Sequence, residues 1–67
     1  MTYGEFKRKL RRLGARLERQ EKRHEYWNRP GTDYRSRIPR HRGEVPTGTL
    51  HAILRGLGFT QEDLSKV

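Results

Sequence analysis

His24 stands at the end of a dense basic run, Arg19-Gln20-Glu21-Lys22-Arg23-His24. Further on, Ile38-Pro39-Arg40-His41 sets a second imidazole among arginines, and Pro46-Thr47-Gly48-Thr49-Leu50 leads into an apolar helical pattern. Histidine gives and takes protons near neutral pH. Among cations that attract phosphate, one imidazole has the parts for metal-free acid–base chemistry at a phosphodiester. RNA brings its own nucleophile, the 2′-hydroxyl. A protein would need to help remove that proton, stabilise charge on phosphorus and help the 5′-oxygen leave. His24 is the candidate for a proton-transfer step, although the residues alone fit an ordinary surface or hydrogen-bonded histidine better, and Lys22, Arg23, Arg35 and Arg37 are candidates for holding the phosphate. His41, between Arg40 and Arg42, has three open roles: complementary acid, phosphate ligand or loop-building residue. His51 sits beside Leu50 in the helical pattern and reads as solvent-facing. The three histidines lack metal-ligand spacing and no carboxylates cluster with them, so no metal is expected. No nucleophile–base motif or phosphate-cradling glycine loop is present.

These residues need a scaffold, and the chain has little material for one. Its 67 residues suffice for a single small domain, and only 30% are apolar. A domain of this size buries only about 60% of its unfolded surface. There is no cysteine, so no disulfide or thiolate zinc site adds support. No apolar run is long enough for a membrane span or a signal peptide, and a cytoplasmic protein is expected. The formal net charge of +8 is unevenly spread. Residues 1–42 carry 14 Lys/Arg against 5 Asp/Glu, a net of +9, and residues 43–67 carry 2 against 3, a net of −1. Such a field attracts polyanions with strong salt dependence, and nucleic acid is the expected partner.

Thr2 and Glu5 make a capping box, and Tyr3, Phe6, Leu10 and Leu13 recur at helical spacing up to Gly14. The pattern predicts an amphipathic first helix with an inward stripe. Ala15 and Leu17 alternate with Arg16 and Glu18, predicting a strand. Tyr26 and Trp27 favour a second strand over 24–28, with His24 and Tyr26 on one face and Trp27 in the core. After the Pro30-Gly31-Thr32-Asp33 turn, Tyr34, Ser36 and Ile38 alternate with Arg35 and Arg37, whose face must point away from the core. Leu50, Ile53, Leu54 and Leu57 predict a second helix, started by Thr47 or Thr49 and ended by Gly58. Thr60 and Asp63 predict a short closing helix over about 61–65 that carries Leu64. The fold class is α+β, α-β-β-β-α, with two helices on one face of a three-stranded antiparallel sheet.

The order of elements and several local phrases resemble the HicA-type toxins, small messenger-RNA interferases of type II toxin–antitoxin pairs. The phrases are Lys22-Arg23-His24, Ile38-Pro39-Arg40-His41 and Gly43-Glu44-Val45-Pro46-Thr47-Gly48-Thr49-Leu50. The resemblance covers nearly the whole chain, read as one domain over 1–67, and is most specific in the C-terminal half. It implies a double-stranded-RNA-binding-domain-like fold and a metal-independent endoribonuclease without cofactors, with His24 as general acid or base. Lys22, Arg23, Arg35, Arg37, Arg40 and His41 would bind RNA. An acidic HicB-type antitoxin would neutralise the toxin by covering the basic face and His24. Family members carry glycine and serine before the histidine, where this chain has Lys22 and Arg23. A non-catalytic RNA-binding module of the same fold stands as the alternative. A DNA-binding or ribosome-associated role has less support, because the second helix carries only Arg55 as a strong cation.

Overall fold

Thr2 accepts a hydrogen bond from the Glu5 N–H at 3.2 Å, and the Glu5 carboxylate reaches back to the Thr2 N–H. This capping box starts helix α1, Tyr3–Arg12, in a computed structural model that describes residues 1–67. Tyr3, Phe6 and Leu10 are buried along one stripe of α1, as their spacing predicts. Gly14, at φ 104°, turns the chain into strand β1, Arg16–Gln20. Strands β2, His24–Asn28, and β3, Arg35–Pro39, complete an antiparallel sheet of order β1-β2-β3. Helix α2, Thr47–Leu57, and the single-turn helix α3, Gln61–Ser65, close the chain. The architecture is the α+β arrangement that the pattern predicts.

One hydrophobic cluster joins the helices to one face of the sheet. Trp27 and Ile38 supply the sheet side, and Phe6, Leu10, Leu54 and Leu57 the helix side. The register pairs Trp27 with Ser36 and Glu25 with Ile38, so these four residues share the helix-facing side. Gly56 permits the approach of α2 to β3: a Cβ there would stand 2.9 Å from the Arg35 carbonyl oxygen. Gly58 ends α2 in the left-handed region at φ 73°, which glycine enters without cost. Arg29 also supports this end, donating from Nη1 to the Gly58 carbonyl at 3.0 Å while its guanidinium lies 4.5 Å from the centre of the Phe59 ring. The Thr60–Asp63 capping box opens α3 and delivers Leu64 to the core, as expected.

Three local expectations change. Helix α2 starts after Pro46, and no side chain caps it. Thr47 lies in its first turn, so neither Thr47 nor Thr49 is the cap; the fixed φ of Pro46 and its place just outside the helix set the start instead. Tyr34 precedes β3 and is 47% exposed, with its ring across Gly58 in place of an inward strand position. Ala15 is fully buried just before β1, whereas Leu17, opposite Trp27, is 37% exposed at the sheet edge.

Candidate nucleic-acid interface

The β2 alternation sends Glu25 and Trp27 inward and leaves His24, Tyr26 and Asn28 half-buried on the other face. The register then pairs His24 with Pro39, Tyr26 with Arg37, and Asn28 with Arg35. Arg37 is therefore a diagonal neighbour of His24, and Arg35 lies one step further along. The Arg35 guanidinium donates to Glu18 at 3.3 Å. Of the two β3 arginines expected near His24, Arg37 shares its surroundings and Arg35 is engaged elsewhere.

His24 lines two clefts. One, of about 490 Å³, is walled by Lys22, Arg23, His24, Arg40 and His41, with no apolar lining residue. The other, of about 310 Å³, is bounded by His24, Ser36, Arg37 and Pro39 together with Thr49, Ala52 and Ile53 of α2. The imidazole thus sits where a hollow lined only by basic residues meets a groove under α2. The two clefts bring together Lys22, Arg23, Arg37, Arg40 and His41 around His24, leaving out only Arg35 of the RNA-binding residues expected there.

Arg40 also has a second role that its charge alone did not reveal. Its Nη1 donates to the Glu21 carbonyl at 3.0 Å, and its N–H donates to the Arg23 carbonyl at 2.9 Å. The Gln20 carboxamide oxygen, in the orientation that satisfies both side chains, accepts from Arg40 Nη2 at 2.7 Å. Arg40 therefore clasps the β1–β2 turn that carries Lys22 and Arg23 up to His24. Part of its hydrogen-bonding capacity is spent on backbone, which leaves Lys22 and Arg23, both exposed, as the freer cations of the hollow.

His41 is held from another direction. The loop after β3 is tied to the start of α1 by the Tyr3 N–H to the Gly43 carbonyl at 3.0 Å and by the Val45 N–H to the Met1 carbonyl at 3.0 Å. The His41 ring comes to rest 6.0 Å, centroid to centroid, from the Tyr3 ring, tilted by 53°. The ring is exposed and faces the same hollow as His24. His51 lies apart, exposed on α2 and in contact with Gln61 at a separate cleft. No three His, Cys, Asp or Glu side chains converge in a way that could hold a metal ion.

Glu25 was not singled out from sequence. Its carboxylate is buried on the core side of β2, accepting from Trp27 Nε1 at 2.9 Å and facing Lys7 Nζ at 3.4 Å. The alternation that assigns Trp27 to the core assigns Glu25 there too, and that was the available signal. The effect on the interface is subtraction: the carboxylate nearest His24 in sequence is turned inward to Trp27 and Lys7, away from the cations outside.

The family model described as HicA toxin of bacterial toxin-antitoxin matches residues 3–59. The chain belongs to the HicA toxin family. This HicA-family chain is the toxin component of a bacterial toxin–antitoxin system, and its family implies an antitoxin partner. The match runs from α1 through Phe59 and includes His24, the basic hollow and His41. No curated relative matches the chain. No helix is long and apolar enough to cross a membrane.

Proposed function

We propose that this toxin is a metal-independent endoribonuclease of messenger RNA, acting in the cytoplasm as a single domain over residues 1–67, with His24 as the proton-transfer group. The observation that carries the reading is the place of His24, half-buried at the junction of two clefts and walled on one side only by Lys22, Arg23, Arg40 and His41. The neutral imidazole takes the 2′-hydroxyl proton as that oxygen attacks phosphorus. The bond from phosphorus to the 5′-oxygen breaks, the leaving oxygen takes a proton from water, a 2′,3′-cyclic phosphate remains, and the imidazolium returns its proton to solvent. Lys22, Arg23 and Arg37 hold the phosphate and stabilise its added charge. Assistance by one acid or base contributes about 10²–10⁴-fold. A HicB-type antitoxin, acidic to match the field, covers the basic face and His24.

The test is cleavage of single-stranded messenger RNA by purified protein in chelator, with His24→Ala beside the native chain. Cleavage should fall by about 10²-fold or more in the variant, with RNA affinity and thermal midpoint unchanged. Undiminished cutting by His24→Ala would assign the chemistry elsewhere. RNA binding without cutting by the native chain would leave a non-catalytic RNA-binding module.

A further inference from the structure

The outer face of the sheet is uncovered, and its side chains are unlike those of an ordinary solvated surface. A β1 irregularity between Leu17 and Arg19 turns both Glu18 and Arg19 outward, and Arg19 pairs with Tyr26. The Arg19 guanidinium lies 4.2 Å from the centre of the Tyr26 ring. Across the sheet, Arg37 pairs with Tyr26 from the opposite side and is exposed. Tyr26 is thus an aromatic ring on the central strand, flanked by an arginine on each neighbouring strand. It lies two residues from His24 on the same face, a separation of about 7 Å. Two outward carboxylates lie nearby and both are paired: Glu18 is bound by Asn28 at 2.9 Å and by Arg35 at 3.3 Å, and Glu21 by Arg19 Nε at 3.1 Å, which steadies the guanidinium beside Tyr26. Nothing acidic is left free beside the Tyr26–Arg37 pair.

We propose that the Tyr26 ring and the Arg19 guanidinium stacked on it form a base-stacking platform for single-stranded RNA, with Arg37 holding the adjoining phosphate, so that the nucleotide beside the scissile bond is seated on the outer sheet face. Aromatic rings and guanidinium planes both stack on unpaired bases, and arginines grip the connecting phosphates. A duplex hides its base faces and gains nothing from such a platform. The substrate class is therefore an unpaired RNA strand that crosses the sheet face and enters the hollow at His24. Sequence tolerance is expected, because every base has a face that stacks.

The proposal deepens the ribonuclease reading, taking from it the choice of RNA, and is tested so that the two fail separately. The probe is a fluorescein-labelled 2′-O-methyl oligonucleotide, single-stranded or annealed to its complement, which lacks the nucleophile and cannot be cut. Native protein should bind the single strand more tightly than the duplex. Tyr26→Ala should weaken single-strand binding about tenfold or more and leave duplex binding unchanged. Tyr26→Phe should bind like the native chain. Arg37→Gln should reduce the slope of log affinity against log salt by about one. Circular dichroism of each variant confirms that the fold persists, and Tyr26 lies outside the hydrophobic cluster. Equal single-strand binding by Tyr26→Ala, or preference for the duplex, would overturn the platform. So would retained RNA binding by Tyr26→Ala with loss of antitoxin binding, which would assign the face to the protein partner. A native chain that holds the probe through Tyr26 yet never cuts RNA would keep the platform and remove the nuclease. One that cuts RNA regardless of Tyr26 would do the reverse.

Discussion

The two faces of the sheet are made from alternate residues of the same strands, and they are opposites. Inward, Trp27 and Ile38 are buried against the helices, and the one carboxylate, Glu25, is bound by Trp27 and faces Lys7. Outward, Arg19, Arg35 and Arg37 surround Tyr26, and the acids there are each bound by one of them, Glu18 by Arg35 and Glu21 by Arg19. A thin core forces this division. With only 12 buried hydrophobic residues in the cluster, none can be spared for the outer face. The outer face therefore contributes little to folding and is left free for charge. Substitutions inward should cost stability, whereas substitutions outward should cost binding or catalysis.

The sharpest way to break that contrast is Trp27→Ala. Loss of a fully packed indole costs about 3–5 kcal/mol, and a domain this small has little stability to spare. Urea or thermal unfolding should show a largely unfolded chain. A cooperative transition close to the native midpoint would mean that the inner face is not what holds the domain together.

A smaller effect is expected at Glu25. Glu25→Ala leaves the Trp27 indole N–H without its acceptor and should cost about 1–3 kcal/mol. Glu25→Gln keeps a carbonyl oxygen for that bond and should cost less. Equal losses for both in denaturant titrations would mean that the charge facing Lys7 matters more than the bond to Trp27.

The smallest effect concerns the helix starts, which lie on neither sheet face. Thr2→Ala should cost about 1 kcal/mol. The Thr2 hydroxyl holds Glu5 below the usual carboxylate range, Asn28 and then Arg35 do so for Glu18, and the Thr60 backbone and hydroxyl do so for Asp63. Each folded-state value is depressed. The associated stability is thus present above the ordinary carboxylate range and is lost as pH falls through that range and below it. Thr2→Ala should make stability less sensitive to acid, because Glu5 loses its partner. A variant with the native acid profile would place the sensitivity at Glu18 and Asp63 instead.

Much of this layout was legible in the chain. Period-two alternation placed His24 and Tyr26 opposite Trp27, helical spacing placed Tyr3, Phe6, Leu10, Ile53, Leu54 and Leu57, and the two Thr-x-x-acid boxes started α1 and α3 as predicted. These signals are local, since each depends on residues within a turn or two. One failure was a choice between neighbouring residues, and another was a local rule overridden by a distant one. Thr47 and Thr49 are good caps by type, yet Pro46 sets the helix start; Tyr34 alternates correctly, yet Gly58 offers its ring a place across the end of α2.

The sequence by itself determined the elements, their apolar stripes and the lopsided charge, because periodicity, capping and charge are properties of neighbouring residues. Only the tertiary structure decided that Arg37 and not Arg35 stands beside His24, that Arg40 clasps the turn before it, and that His41 faces the same hollow from a loop tied to the start of α1. Those outcomes depend on strand register and on contacts between residues far apart in the chain, and register is set by how the whole sheet packs on its helices.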